Sequence, residues 1–339
     1  MRARLSAVLS VAFVSLAGCG AKTGLLVPDI APDHIDATDA PDLVCLPDLI
    51  PLTRRTADVM FLIDRSNSMR ADISGQDLPP SRWNVLEGAL SRALPPLEAT
   101  LSFGATFYPQ VQLGPPSVEQ ACLTSVRVDI PPARNNSAAI LRVFQNTEPG
   151  GGTPTYLALR LVHSWFDAQP ATRDPRYIVL ATDGGPNCNA ALDAATCPCT
   201  SHDPTTMAST CPGDPAMGFD PMPSNCLDDG RTLGEMRAVA GVGIPVFVIG
   251  IDDPTRPDLT AVLNLMADAG GRPNLAGPER YYRIRVPMDL DTAFQAIERT
   301  IAQCTFVTTR APASFDSIHL DLGTQELPRD ATRTNGWDV

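Results

Sequence analysis

Asp64, Ser66 and Ser68 stand at spacing two directly after a run of apolar residues, Val59 to Ile63. One carboxylate and two hydroxyls at that spacing are hard oxygen ligands of the kind Mg2+ takes. A turn in which Asp and Ser satisfy their own backbone is the plain alternative for so short a group. Two distant residues add to the set. Thr153 follows the glycine run Gly150-Gly151-Gly152, and Asp183 follows the apolar run Ile178 to Ala181. Together, Asp64, Ser66, Ser68, Thr153 and Asp183 are an all-oxygen metal-site candidate. Neutral hydroxyls next to the ion quench little of its charge, and carboxylates held one layer out orient those hydroxyls and their waters. Such an ion keeps an open, electrophilic position.

The elements must bring these residues together. Residues 58–63 read as a central buried strand, since an unbroken apolar run suits a strand covered on both faces. Ser81 can cap a helix through residues 82–94, with Trp83, Leu86, Leu90 and Leu94 on one face. Residues 101–108 read as a second strand. Residues 126–130 alternate and read as a half-exposed third strand, ended by Pro131-Pro132. A short helix follows to Phe144. Residues 156–166 read as a helix with Leu157, Leu161 and Trp165 on one face. Strands are expected at 177–182, 244–251 and 281–286, and helices at 228–239, 259–269 and 290–304. This alternation predicts an α/β fold: a doubly wound, mostly parallel sheet with helices on both faces and one antiparallel edge. In such a sheet, ligand sites lie at the carboxyl ends of the strands. Asp64 and Asp183 both occupy such ends.

The order, spacing and topology of the five residues resemble the von Willebrand factor type A domain over roughly residues 58–304. That resemblance implies a metal-ion-dependent adhesion site. Ser66 and Ser68 would bind the ion directly, Thr153 directly or through water, and Asp64 and Asp183 mostly through water. It implies Mg2+ as the cofactor, with Mn2+ or Ca2+ also accommodated. It further implies a protein partner that offers a Glu or Asp carboxylate to the metal. Arg65 departs from the family pattern and is expected to point to solvent. Asp252 and Asp253 are expected to be solvated loop residues.

Residues 1–19 read as an export signal. Arg2 and Arg4 precede an apolar run too short to span a bilayer, and Leu16-Ala17-Gly18-Cys19 resembles a bacterial lipobox, which implies lipidation at Cys19. The expected address is the bacterial cell envelope, with the outer membrane or cell surface favoured over the inner membrane and the lipid as the sole membrane anchor. Residues 20–44, rich in Pro and Asp, read as an acidic tether. Residues 45–304 are the expected globular domain, with a cysteine-rich insertion at 188–226. Residues 305–339 read as a short β-rich segment, either an appendage or a truncated β domain.

Eight further cysteines, Cys45, Cys122, Cys188, Cys197, Cys199, Cys211, Cys226 and Cys304, suit disulfides in an exported chain. Cys45 and Cys304 flank the domain and are expected to pair. Six remain, with fifteen possible pairings. A zinc site built on Cys197-Pro198-Cys199 is the alternative, but one intervening residue is tight for paired zinc ligands.

A net charge of −12 excludes nucleic acid as a natural partner. No nucleophile elbow, His-Glu-x-x-His helix or phosphate loop is present. The sole lysine, Lys22, falls in the tether, so a Mg2+-dependent hydrolase built on Asp64 lacks the lysine it would need. The chain is expected not to be an enzyme. The expected function is divalent-cation-dependent protein binding, in adhesion or complex assembly. The second reading is an envelope scaffold whose metal is purely structural and whose cysteine-rich insertion binds the partner.

Overall fold

The computed structural model describes residues 11–14, 48–51, 53–54, 56–110, 118–170, 174–202, 208–214, 216–251, 256–301, 306–307, 318–322 and 325–329. Cys19, Cys45, Cys304, Asp252, Asp253 and the tether at 20–44 lie outside these residues. The chain forms two compact units, residues 56–303 and residues 1–55 with 304–339.

The larger unit is built on a six-stranded sheet. Its strands are β1 (Ala57–Asp64), β2 (Leu101–Tyr108), β3 (Ile130–Ala133), β4 (Arg176–Thr182), β5 (Val246–Ile251) and β6 (Tyr282–Ile284). The order across the sheet is β3-β2-β1-β4-β5-β6. All neighbours are parallel except β2 and β3, so the predicted doubly wound sheet with one antiparallel edge is what forms. Chain order reverses between β1 and β4. That is the switch point at which the connections diverge and leave a crevice over the strand ends.

The helices are α1 (Arg82–Ala93), α2 (Ser137–Asn146), α3 (Thr155–Asp167), α4 (Asp229–Gly241), α5 (Pro257–Ala269) and α6 (Pro287–Ile301). Side chains alternate across a strand, so β1 feeds two cores. Val59, Phe61 and Ile63 pack with α1, α2 and α6. Met60 and Leu62 pack with α3, α4 and α5. Each fully buried Leu, Ile or Phe is worth roughly 1.5–3 kcal/mol over its exposed state. The central strand is therefore the least movable platform in the unit. Ser81 caps α1 as expected, accepting from the Asn84 amide at 3.2 Å.

Two local expectations are corrected. The third strand is Ile130–Ala133 and contains Pro131 and Pro132, where the sequence placed it at 126–130 and ended it at those prolines. Proline cannot donate to a ladder, but an edge strand needs donors on one side only. In α3, the core face is Ala158, Leu159, Val162 and Phe166. Leu157, Leu161 and Trp165, the face expected inside, are only half-buried.

In the smaller unit, Asp48–Pro51, Val11–Val14, Ile318–Leu322 and Gln325–Leu327 form an antiparallel sheet in that order. Thr53–Arg54 pairs with Phe306–Val307. Val11–Val14 comes from the apolar run read above as an export signal. Among the described residues, no helix is long and apolar enough to cross a membrane.

Candidate metal centre

β1 and β4 run in register, with Ile63 opposite Ala181. Asp64 and Asp183 therefore leave the sheet side by side, at the switch point. Beyond Asp64 the chain makes one 3-10 turn, Asn67–Arg70, whose Met69 is fully buried and pins the loop. The Ser66 amide donates to Asp64 Oδ1 at 2.8 Å. The Thr182 hydroxyl donates to Asp64 Oδ2 at 2.6 Å. Ser68 Oγ donates to Asp183 Oδ1 at 2.8 Å, and Arg82 Nη1 to Asp183 Oδ2 at 2.6 Å. Every oxygen of both carboxylates thus accepts a donor from the chain. That fixes the carboxylates as orienters of neighbouring groups.

The glycine run is tied to this loop by backbone bonds. Gly150 donates to Arg65 O at 2.9 Å, and Asn67 donates to Gly151 O at 3.0 Å. Gly151 has φ +89°, a left-handed conformation that suits glycine. A Cβ on Gly152 would lie 2.6 Å from Cys188 Sγ. Only a bare backbone passes between the Asp64 loop and the Cys122–Cys188 disulfide. Thr153, next in the chain, is held by Asn187, whose Oδ1 accepts from the Thr153 amide at 2.7 Å. The Asn187 amide donates back to Thr153 O at 2.9 Å.

All five sequence-predicted ligands come together: Ser66, Ser68, Thr153 and Asp183 line one cleft of about 370 Å3, with Asp64 buried beneath. Ser66 Oγ and Ser68 Oγ are 3.0 Å apart. Adjacent ligands of an octahedron with oxygens at about 2.0–2.1 Å lie about 2.9 Å apart, so this hydroxyl pair fits one edge of a Mg2+ or Mn2+ site. The electrostatics agree. Burial, and after it the Asp183 charge, pushes the Asp64 carboxyl up to about 7. Two buried carboxylates side by side favour a cation between them.

The residues that sequence reasoning missed are Thr182, Arg82 and Asn187. Thr182 is buried one residue before Asp183. Arg82 is 1% exposed and opens α1. A cation at the positive end of a helix runs against the helix dipole, and that mismatch was the available signal. Arg65 is corrected. It does not reach solvent but is 6% exposed, with its guanidinium over the Phe107 ring and donating to Pro109 O at 2.7 Å. Burial lowers its pKa, and the Asp129 charge opposes that.

The six insertion-related cysteines pair as Cys122–Cys188, Cys197–Cys226 and Cys199–Cys211. The sulfurs of Cys197, Cys211 and Cys226 lie within 4.8 Å of one another. All three are in disulfides, so they offer no thiolates and the donor set does not fit zinc. The insertion supplies one wall of the cleft through Thr200, Ser201, Met222, Ser224 and Asn225.

Residues 59–186 match the von Willebrand factor type A domain family. The matched stretch holds all five oxygen-bearing residues and ends where the insertion begins. The sheet order and its helical layers are those of a von Willebrand type A-like fold. No curated protein matches the chain. Among solved structures, the PilB minor pilin from Streptococcus sanguinis is similar at 19% identity over 74% of this chain, with TM-score 0.49. The chain covers 62% of that pilin, less than two thirds of its length. The manganese-loaded TRAP protein of Plasmodium vivax is similar at 17% identity, covering 75% of this chain and 76% of its own, with TM-score 0.42. The vWF domain of the type V pili tip protein Mfa5 from Porphyromonas gingivalis is similar at 15% identity, covering 74% and 96%, with TM-score 0.43.

Proposed function

We propose that this chain is a non-enzymatic, divalent-cation-dependent protein-binding module of the bacterial cell envelope, held there by lipid on Cys19. The observation that carries the reading is the convergence of Asp64, Ser66, Ser68, Thr153 and Asp183 on one cleft. Ser66, Ser68 and Thr153 would hold a Mg2+ or Mn2+ ion. The ion would supply an electrophilic position open to a partner's Glu or Asp carboxylate. The chain's own part is orientation. Asp64 fixes the Ser66 amide, and Asp183 accepts the Ser68 hydroxyl's hydrogen bond, which leaves the Ser68 lone pairs for the ion. Asn187 holds the backbone of Thr153.

A second reading keeps the metal structural and gives partner binding to the insertion. The insertion's wall over the cleft favours it enough to be tested in its own right.

Thermal melts with Mg2+, Mn2+ or Ca2+ test the first reading. A cation at a hundred times its dissociation constant adds about 2.7 kcal/mol to the folded state. The expected result is a cation-specific rise in melting temperature that is lost in Asp64→Ala. An equal rise in both proteins would place the cation elsewhere and overturn the assignment.

A further inference from the structure

We infer that the chain binds a second copy of itself, with an apolar turn of the cysteine-rich insertion seated in a groove beside β6 of its neighbour. The contact goes beyond the metal-site reading and does not depend on it. The turn is built to display two apolar side chains. Asp214 and Phe219 exchange both backbone hydrogen bonds, each at 2.9 Å, and Asp214 Oδ1 accepts from the Ala216 and Met217 amides at 3.0 and 3.3 Å. Gly213 has φ +71°, and a Cβ there would lie 2.6 Å from Phe219 O. The Cys199–Cys211 disulfide ties the base of the turn, as does the Met222 amide, which donates to Cys211 O at 2.8 Å. Met217 and Phe219 stand 71% and 63% exposed. Single apolar residues are ordinary on a surface. Phe219, however, is the only aromatic among the exposed large apolar side chains of the described residues. It sits on a turn ordered before any partner arrives, which lowers the entropy cost of docking.

The groove holds about 550 Å3 and lies where α1 and α6 begin. Ile73, Pro80, Val85 and Pro287 give it apolar walls, and Arg283 and Arg285 give it a basic rim. The acids around it are engaged. Asp72 accepts from Ser74 and Gln76 and faces the Arg82 charge. Glu279 lies 3.5 Å from Arg283, and Asp289 Oδ2 accepts from the Arg285 and Val286 amides. The Arg285 guanidinium stays exposed, with no ion pair among the described residues. The turn carries the opposite charge. Between Cys188 and Cys226 the chain has Asp193, Asp203, Asp214 and Asp220 and no Lys or Arg. Asp214 and Asp220 bracket the displayed pair, so an apolar tip with acidic flanks meets apolar walls with a basic rim. The same acids disfavour an anionic lipid surface. One aromatic ring buries about 150–250 Å2, so the contact falls short of the roughly 1,000 Å2 of a stable pair. Association is therefore weak in dilute solution and suits chains crowded together by tethering.

Sedimentation velocity of the full chain in EDTA, over rising concentration, tests this with the metal site silent. The native chain is expected to sediment faster as concentration rises. Phe219→Ser and Arg285→Asp both change exposed side chains. Each is expected to weaken association by about 10-fold or more, as loss of an interface anchor does. Mixed in equal amounts, the two variants still offer one intact turn and one intact groove, so the mixture should associate more than either variant alone. A native chain that stays monomeric at every concentration overturns the inference. So do association that neither variant weakens and a mixture no better than its components. Flotation with phosphatidylglycerol vesicles that is lost in Phe219→Ser would assign the turn to lipid and overturn it as well. None of these results bears on the cation melts, so the metal-site reading stands or falls separately.

Discussion

Thr182 shows how much of the centre depends on a side chain outside the five predicted ligands. It is fully buried, and its hydroxyl donates at 2.6 Å to the one Asp64 oxygen that Ser66 does not reach. Valine has the same shape without the donor. Thr182→Val should cost about 1–3 kcal/mol, the range for stranding one partner of a buried hydrogen bond. It should also weaken Mn2+ binding by about 10–100-fold, as loss of a ligand's outer support does. Denaturant unfolding and an Mn2+ titration on the same protein check both. Unchanged Mn2+ affinity would mean that Asp64 needs no such support. At this scale the residues that converge on the cleft were legible as candidates because hard-oxygen chemistry limits such candidates to a few residue types, placed just beyond strands or a glycine run. Their supports were not legible. Arg82 reaches Asp183 across 101 residues of sequence, and no local pattern announces such a pairing. Arg65 misled for a related reason. An arginine beside a polar loop is ordinarily solvated, and only the fold brings Phe107 and Pro109 over it.

Among the elements, the glycine run is the one whose geometry the site cannot spare. Gly150 has nothing within 4 Å of an added Cβ, whereas Gly152 would meet Cys188 Sγ at 2.6 Å and Asn187 Oδ1 at 3.0 Å. Gly150→Ala should fall within about 0.5 kcal/mol of the native protein, as surface changes do. Gly152→Ala should cost about 1–3 kcal/mol, as overpacking does, and should lower Mn2+ affinity because Thr153 is the next residue. Equal behaviour of the two variants, in melts and in Mn2+ titrations, would show that the close approach to the disulfide does not govern Thr153. The element pattern itself was largely readable. Strand and helix periods differ, and the apolar face of α1 lies where its spacing put it. The failures occurred where an apolar pattern in the sequence did not set the packing. Val126 is 90% exposed and Val128 is 7% exposed although both would lie on one strand face, and only Ile130 of the stretch enters the ladder, so the apolar alternation at 126–130 does not mark a strand. In α3 two apolar stripes compete. The one that packs is set by the sheet beneath it, which a single helix cannot reveal.

At the scale of the whole molecule, the insertion decides between the two readings of function. It leaves and re-enters the fold at nearly one point, since the Cys188 amide donates to Ser224 O at 2.7 Å. It has a small core of its own in Ala194, Cys199, Cys211 and Cys226. Among the described residues, its ties outward include the Cys122–Cys188 disulfide, which the trimmed protein keeps, and hydrogen bonds of Leu227 N to Pro198 O at 2.8 Å, Asn187 to Thr200 at 3.0 Å, Arg256 to Thr200 O at 2.6 Å and to Cys199 O at 3.0 Å, and Asn189 to Asp228 at 2.9 Å. Residues 189–224 can therefore be replaced by a two-residue linker, with Cys226→Ser to remove the thiol left by Cys197. The six-stranded sheet should survive, because none of its strands lies in the removed stretch. If the metal centre is the recognition element, the trimmed protein should keep its cation-dependent rise in melting temperature and its Mn2+-dependent affinity for short glutamate-bearing peptides. What should narrow is its discrimination among peptides that differ beside the glutamate, because the wall formed by Thr200, Ser201, Met222 and Ser224 is gone. If peptide binding vanishes while the cation response stays, the ion is a structural prop and the insertion is the binding surface. Fluorescence polarisation over a peptide panel, with and without Mn2+, distinguishes the two. The first outcome is expected, because a cleft with hydroxyls spaced for an octahedral ion at its floor is costly to build for support alone.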